Sequence, residues 1–226
     1  MIPNTVLSSF AITIMIPVPT SSLLGRLSLH PTITWGFLIY RTTYTPQSEE
    51  RFPAILETIR SLMRPYILRE QAQVSEFLGP SHPEVTGYDM IWPRYRPVLM
   101  NNPEFDKMPL SSVRSHFESW IKSQDEALTL PSQQHICLVI DDDAVEACAH
   151  ARPLREGETT RELRRNGNRQ NWWVRAVEAW PELDESSDGY DGTMRVSLFD
   201  VWDLWALVWN PTPVAHLDRK DGLFWY

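Results

Sequence analysis

The chain has 226 residues and 26.3 kDa, with 42% hydrophobic and 22% charged residues and a net charge of −8. That length suits one domain, and that composition excludes a wholly disordered chain. No run of about 18 uninterrupted apolar residues exists, so no membrane span is expected. The acidic balance argues against a nucleic-acid partner, which needs a basic surface for phosphates. Two cysteines in a chain this long exclude a disulfide-stapled scaffold. Tryptophan is abundant at 10, and the basic charge is almost all arginine. Both residue types are enriched at binding hot spots, and tryptophan is equally at home in a core.

Residues 1–30 read as an N-terminal tail or a weak targeting segment. Residues 10–18 are apolar, but the stretch lacks a basic n-region, and Pro17 and Pro19 cut it short. Cytoplasmic residence is therefore expected, with secretion as the lesser alternative. Residues 31–226 read as one domain.

Residues 35–44 are aromatic and β-branched, the pattern of a strand, and Gly36 marks a weak point or a close backbone approach. Ser48 and the acidic pair Glu49–Glu50 suit a helix start. Phe52, Ile55, Leu56, Ile59, Leu62, Met63 and Tyr66 then recur in steps of three and four, one apolar stripe facing a sheet. Pro65 is expected to end or kink this helix, with residues 68–78 as its continuation at a new angle. Six prolines between 79 and 110 predict a long loop, whose Tyr88, Trp92, Tyr95 and Phe105 should pack it on the domain. A second helix is expected over 112–128, with Val113, Phe117, Trp120 and Ile121 on its apolar side. Residues 135–140 form a continuous apolar run, as in a buried central strand. Residues 172–180 and 193–199 read as an antiparallel pair around an acidic loop. Residues 201–209 form a last helix that is apolar on nearly all sides.

This order predicts an α+β fold: a mixed or antiparallel sheet with helices on one face, ferredoxin-like by analogy.

Several groups could carry chemistry. The apolar strand ends in Asp141-Asp142-Asp143, and D-x-D after a strand is the nucleophile motif of haloacid-dehalogenase-type phosphotransferases. That family places its motif early in the chain with a lysine and an acidic pair on later strands, whereas here only 83 residues follow Asp143 and the only later lysine is Lys220, and the alternative is a helix start capped by carboxylates. Asp184-Glu185-Ser186-Ser187-Asp188-Gly189 matches the first half of a calcium loop, but Arg195 stands where the bidentate Glu belongs. A solvated hairpin loop is the competing reading. Asp141, Asp143, Asp184 and Asp188 are thus the only metal candidates, and no cofactor is expected. The six histidines lack metal-ligand spacing. Arg152, Arg155, Arg161, Arg164, Arg165 and Arg169, beside Trp172 and Trp173, could grip an anionic ligand or fold against the acidic loop 181–192. Arg161, Arg164, Arg165, Trp172, Trp202 and Trp205 are the candidate surface for a small molecule or a protein partner.

TWGFLIYRTTYTPQSEERF, ICLVIDDDAVEA, WVRAVEAW and MRVSLFDVWDLW together resemble a group of filamentous-fungal (ascomycete) proteins with no known activity. The likeness covers roughly 35–208. It implies an ascomycete origin and a small α+β domain, and it carries no functional residue. The expected function is a non-catalytic binding or interaction protein. The alternatives are a cofactor-independent isomerase or cyclase of fungal secondary metabolism, and a secreted effector.

Overall fold

A computed structural model describes residues 18–30, 32–125, 130–165, 171–181, 190–208 and 223–224. In chain order the elements are α1 (Val18–Leu29), β1 (Leu38–Arg41), α2 (Pro46–Leu78), α3 (Pro83–Gly87), β2 (Val98–Met100), α4 (Leu110–Ser123), α5 (Pro131–His135), β3 (Ile136–Ile140), α6 (Asp142–Ala147), α7 (Thr160–Leu163), β4 (Trp173–Glu178), β5 (Thr193–Ser197), α8 (Val201–Leu207) and β6 (Leu223–Phe224).

The six strands form one mixed sheet in the order β2-β1-β3-β4-β5-β6. β1 pairs in parallel with both β2 and β3, Leu38 facing Val98 on one side and Cys137 on the other. β3 pairs antiparallel with β4, and β4 with β5. The α+β class therefore stands, and so does the predicted antiparallel hairpin. The parallel trio at one side is not the ferredoxin-like plan. The cause lies in the 79–110 segment, which is not a bare loop. Proline density limits it to α3, short 3₁₀ turns and the three-residue β2, yet β2 suffices to add a parallel neighbour to β1. The segment packs as its aromatics predict: Tyr88, Tyr95 and Phe105 are buried, and Trp92 stacks on Tyr95 with centroids 5.0 Å apart.

Helices cover both faces of the sheet, not one. Ile39, Leu138, Val174 and Val196 point to the face packed by α1, α2 and α8. Leu38, Tyr40, Cys137, Val139 and Val177 point to the other, packed by Val113 and Phe117 of α4. Strands buried on both sides must be apolar at every position, which is why β3 reads as an unbroken run. The alternation of β4 reflects a strand whose outer half meets less cover.

One further expectation is corrected. The tail boundary at residue 30 is too late, since Leu23 and Leu27 of α1 are fully buried in the core. Residues 68–78 do continue α2 past Pro65, and the helix runs to Leu78. Leu62, Met63, Ile67 and Val74 are buried on either side of the proline, so packing outweighs the one missing backbone donor. Gly36 does mark a close approach: its φ is +137°, and a Cβ there would lie 2.9 Å from the Pro97 nitrogen.

Candidate binding site

β1 lies between β2 and β3, and the chain leaves it in one direction through α2 and returns to the other side through α4. In open α/β sheets, a crevice opens outside the carboxyl ends of the strands where the winding reverses in this way. Here that point is the carboxyl ends of β1 and β3, and the sequence has placed its charges there.

Arg41, the last residue of β1, is buried. Its Nε donates to the Thr43 carbonyl at 2.8 Å, and its Nη2 donates to Ser48 Oγ at 2.9 Å and to Glu49 Oε1 at 2.7 Å. The guanidinium also sits over the rings of Tyr44 and Phe52, 4.4 and 5.1 Å from their centroids. Every face of the group is engaged, which is the condition for burying it. Thr45 caps α2, its hydroxyl accepting from the Ser48 N–H at 3.2 Å, and Pro46 follows at the first helical position.

On β3, Asp141 caps α6: its Oδ1 accepts from the Ala144 N–H at 2.8 Å. Its Oδ2 accepts from Arg175 Nε, and Arg175 Nη2 donates to Asp143 Oδ2 at 2.6 Å. The Thr43 hydroxyl donates to Asp142 Oδ1, tying the ends of β1 and β3 together. Burial works against the charge on Arg175, but the bond to Asp141 and the fields of Asp141 and Asp143 outweigh it, so the guanidinium is held above its ordinary range. Asp141 and Asp143 thus converge on an arginine, in the role a cation would have. No group of three or more His, Cys, Asp or Glu among the described residues is placed to hold a metal ion. Asp184 and Asp188 lie outside the described residues.

Above this floor is an open crevice of about 540 Å³, lined by Thr45, Pro46 and Gln47 of the first turn of α2 and by Asp142, Val145 and Glu146 of α6. Its charged lining residues are both carboxylates, Asp142 and Glu146, and both are exposed.

The arginine and tryptophan candidates do not converge on one surface. Trp172, Trp202 and Trp205 are interior: each is at most 3% exposed. Trp202 and Trp205 pack around Trp35, with centroids 5.8 and 5.7 Å away, and Trp172 stacks on Phe199. They build the core, and the surface role expected for them is withdrawn. Arg161 and Arg165 are exposed. Arg165 borders a shallow groove of about 500 Å³ shared with Glu158 and Glu162. Glu158 accepts from Arg152 at 2.7 and 2.8 Å and from the Arg155 N–H at 3.0 Å, and these bonds hold its carboxyl at about 2.

Arg164 enters a polar cluster. Its Nη2 donates to Asp200 Oδ1 at 2.6 Å, and its guanidinium lies over the Phe199 ring at 5.4 Å. Asp200 is fully buried, and Tyr66 donates to the Phe199 carbonyl beside it at 3.1 Å. Neighbouring Asp203 is pushed up to about 6, by burial first and by the charge of Asp200 second, against the opposing fields of Arg164 and Arg69. The loop segment 182–189, the expected partner of these arginines, lies outside the described residues.

Arg41, Thr43 and Arg175 escaped the sequence reading, and Ser48, read as the helix start, lies in the first turn after the Thr45 cap. Arg175 carried a signal in hindsight, being a charge inside an alternating strand. The use of Arg41 did not, because the residue after an apolar run reads as the strand's exit into solvent.

No family model, curated protein or solved structure matches the chain. Among the described residues no helix is long and apolar enough to cross a membrane.

Proposed function

We propose that this chain is a non-catalytic binding protein that meets its partner at the crevice between the first turns of α2 and α6. The observation that carries this reading is the reversal of winding at β1, with an open cavity at the carboxyl ends of β1 and β3. The floor is rigid, because Arg41 and Arg175 are each held by several bonds. Preorganisation of this kind lowers the ordering cost of association. The rim is acidic, so the partner is a protein segment bearing Arg or Lys, with charge setting the encounter rate. The ascomycete origin and a cytoplasmic location belong to the same proposal, and the acidic rim speaks against nucleic acid.

Native mass spectrometry of the protein, purified gently from its own cells, tests this. The expected result is a stoichiometric complex with another chain that is weakened by salt and lost in the variant Asp142→Lys/Glu146→Lys. A complex that persists in the variant would overturn the assignment of the crevice.

One observation favours a second reading, a cofactor-independent small-molecule enzyme. Asp203, titrating at about 6 beside Asp200 and Tyr66, is tuned as a general acid or base would be. Under that reading the same spectra show a small bound metabolite in place of a protein, and Asp203→Asn abolishes its turnover.

A further inference from the structure

At the amino end of the sheet, opposite the charged crevice, lies a cavity of about 180 Å³. Its walls are Thr32 and Thr34 on the approach to β1, Val98 of β2, Trp120 and Gln124 at the end of α4, and Gln133 of α5. No described residue lining it titrates, in a chain where 22% of residues are charged. The cavity is half-open, and a charged ligand would give up part of its hydration there without a counter-charge, so the site favours neutral ligands.

One of its polar groups, Gln133, is fixed from two sides, and the others stand at the exposed rim. Gln133 is buried, its Oε1 accepts from the Leu130 N–H at 3.2 Å and its Nε2 donates to the Gly36 carbonyl at 2.9 Å. An amide nitrogen carries two hydrogens, so one donor of Gln133 is not used by these bonds. Gln124 spends its Nε2 on the Trp120 carbonyl and on Ser123 Oγ, which leaves its Oε1 as an acceptor at the rim. Thr32 and Thr34 add two hydroxyls, each both donor and acceptor. Trp120 is set by offset stacking on Phe117, with centroids 6.4 Å apart and 21° between planes, and supplies a flat apolar surface.

Donors and acceptors on several sides, one aromatic plane and no charge match a ring that has C–H groups on one face and hydroxyls around its edge. The volume is below the roughly 300–1,000 Å³ of ordinary ligand pockets and equals about six waters' share of liquid, room for one ring and no more. We infer that this cavity is a binding site for a single neutral sugar ring, seated on Trp120 and hydrogen-bonded by Gln124, Gln133, Thr32 and Thr34. It is independent of the charged crevice and does not rest on the reading given for it.

The test is a ¹⁵N NMR titration of the full chain with methyl β-glucoside and methyl β-galactoside, with glucuronate and glucosamine as charged counterparts. The expected result is saturable shifts of the Trp120 indole N–H and the Gln124 and Gln133 side-chain amides. A neutral ligand of this size gives a Kd on the order of 1 mM. Binding of both charged sugars is weaker by a few-fold to about tenfold, the loss that one partly desolvated charge without a partner imposes. Gln124→Leu lowers glycoside affinity by about tenfold, the value of one hydrogen bond. Thr34→Val, at an exposed position that leaves the fold intact, weakens it in the same direction. Absence of shifts at these groups with both glycosides would overturn the assignment. So would equal binding of the charged sugars, or unchanged affinity in both variants.

Discussion

The two ends of the sheet are held by different physics. At the amino end, Trp35 gathers Trp92, Tyr95, Trp202 and Trp205 around it at 4.9 to 6.1 Å, and its indole N–H donates to the Ile91 carbonyl at 2.6 Å. At the carboxyl end, the strands are joined by arginines and carboxylates: Arg41 to Glu49, and Arg175 to Asp141 and Asp143. The Trp35 cluster is dry and uncharged. The ionic end is half-open, so its bonds orient groups more than they stabilise the fold. Packing energy is thereby concentrated around Trp35, and the charged contacts sit at the opposite end of the sheet.

That division is broken first at Trp35. Trp35→Ala removes the ring at the centre of the cluster and strands the Ile91 carbonyl, at a cost of about 4 kcal/mol. Urea unfolding should show this loss unchanged between low and high salt. Arg41→Ala comes next, at about 2 kcal/mol, from the lost bonds to Ser48 and Thr43 and the lost contact with Tyr44 and Phe52. Glu49 is 61% exposed and rehydrates, so the larger cost of a stranded buried charge does not arise. Arg41→Lys should recover only part of it, since a point charge cannot reach Ser48, Thr43 and Glu49 at once.

The same contrast explains what the sequence makes legible. The apolar parts could be read: the strand expected over 35–44, which forms over Leu38–Arg41, and the unbroken run of β3 follow from composition, and the stripe of α2 follows from its period, because burial leaves a local pattern. The ionic end could not, because pairing across strands imposes none. Asp141 and Arg175 are 34 residues apart, and only the antiparallel register of β3 and β4 brings them together. The cap at Asp141 was visible as a local signal, and its arginine partner was not. The tryptophans misled for a related reason. Trp202 and Trp205 look alike in a partner-binding helix and in a buried one, and what decides is the α1 helix and the 88–95 turns that cover them. The parallel placement of β2 was hidden by proline, which obscures a three-residue strand without preventing it.

Arg175→Met sharpens the comparison from the ionic side. It removes two partly exposed ion pairs and leaves the apolar stem, so the cost is about 1 kcal/mol at low salt. The cost should shrink at about 1 M salt, where the Debye length is near 3 Å, while that of Trp35→Ala stays constant. A salt-independent loss would place Arg175 with the packing of the fold and not with its charged rim.

The last effect is one of pH, at Asp203. Its carboxyl is raised from 3.8 to about 6 by burial, with Asp200 beside it. The folded protein therefore binds this proton more tightly than the unfolded chain does. Asp203 favours the fold fully below the unfolded value, and that contribution is lost as pH rises through about 6. Asp203→Asn removes the ionisable group, so it should leave stability nearly unchanged at pH 4 and raise it at pH 7. Urea midpoints at the two values, with a carboxyl-detected NMR titration of Asp203, measure both arms. Glu158 runs the opposite way, since its lowered carboxyl loses its contribution as pH falls toward about 2. The two titrations are separable because Asp203→Asn flattens only the upper window. If the variant is instead destabilised at pH 7, the charged form of Asp203 is the one the fold uses. Its neighbours Arg164 and Arg69 would then outweigh burial and Asp200 together.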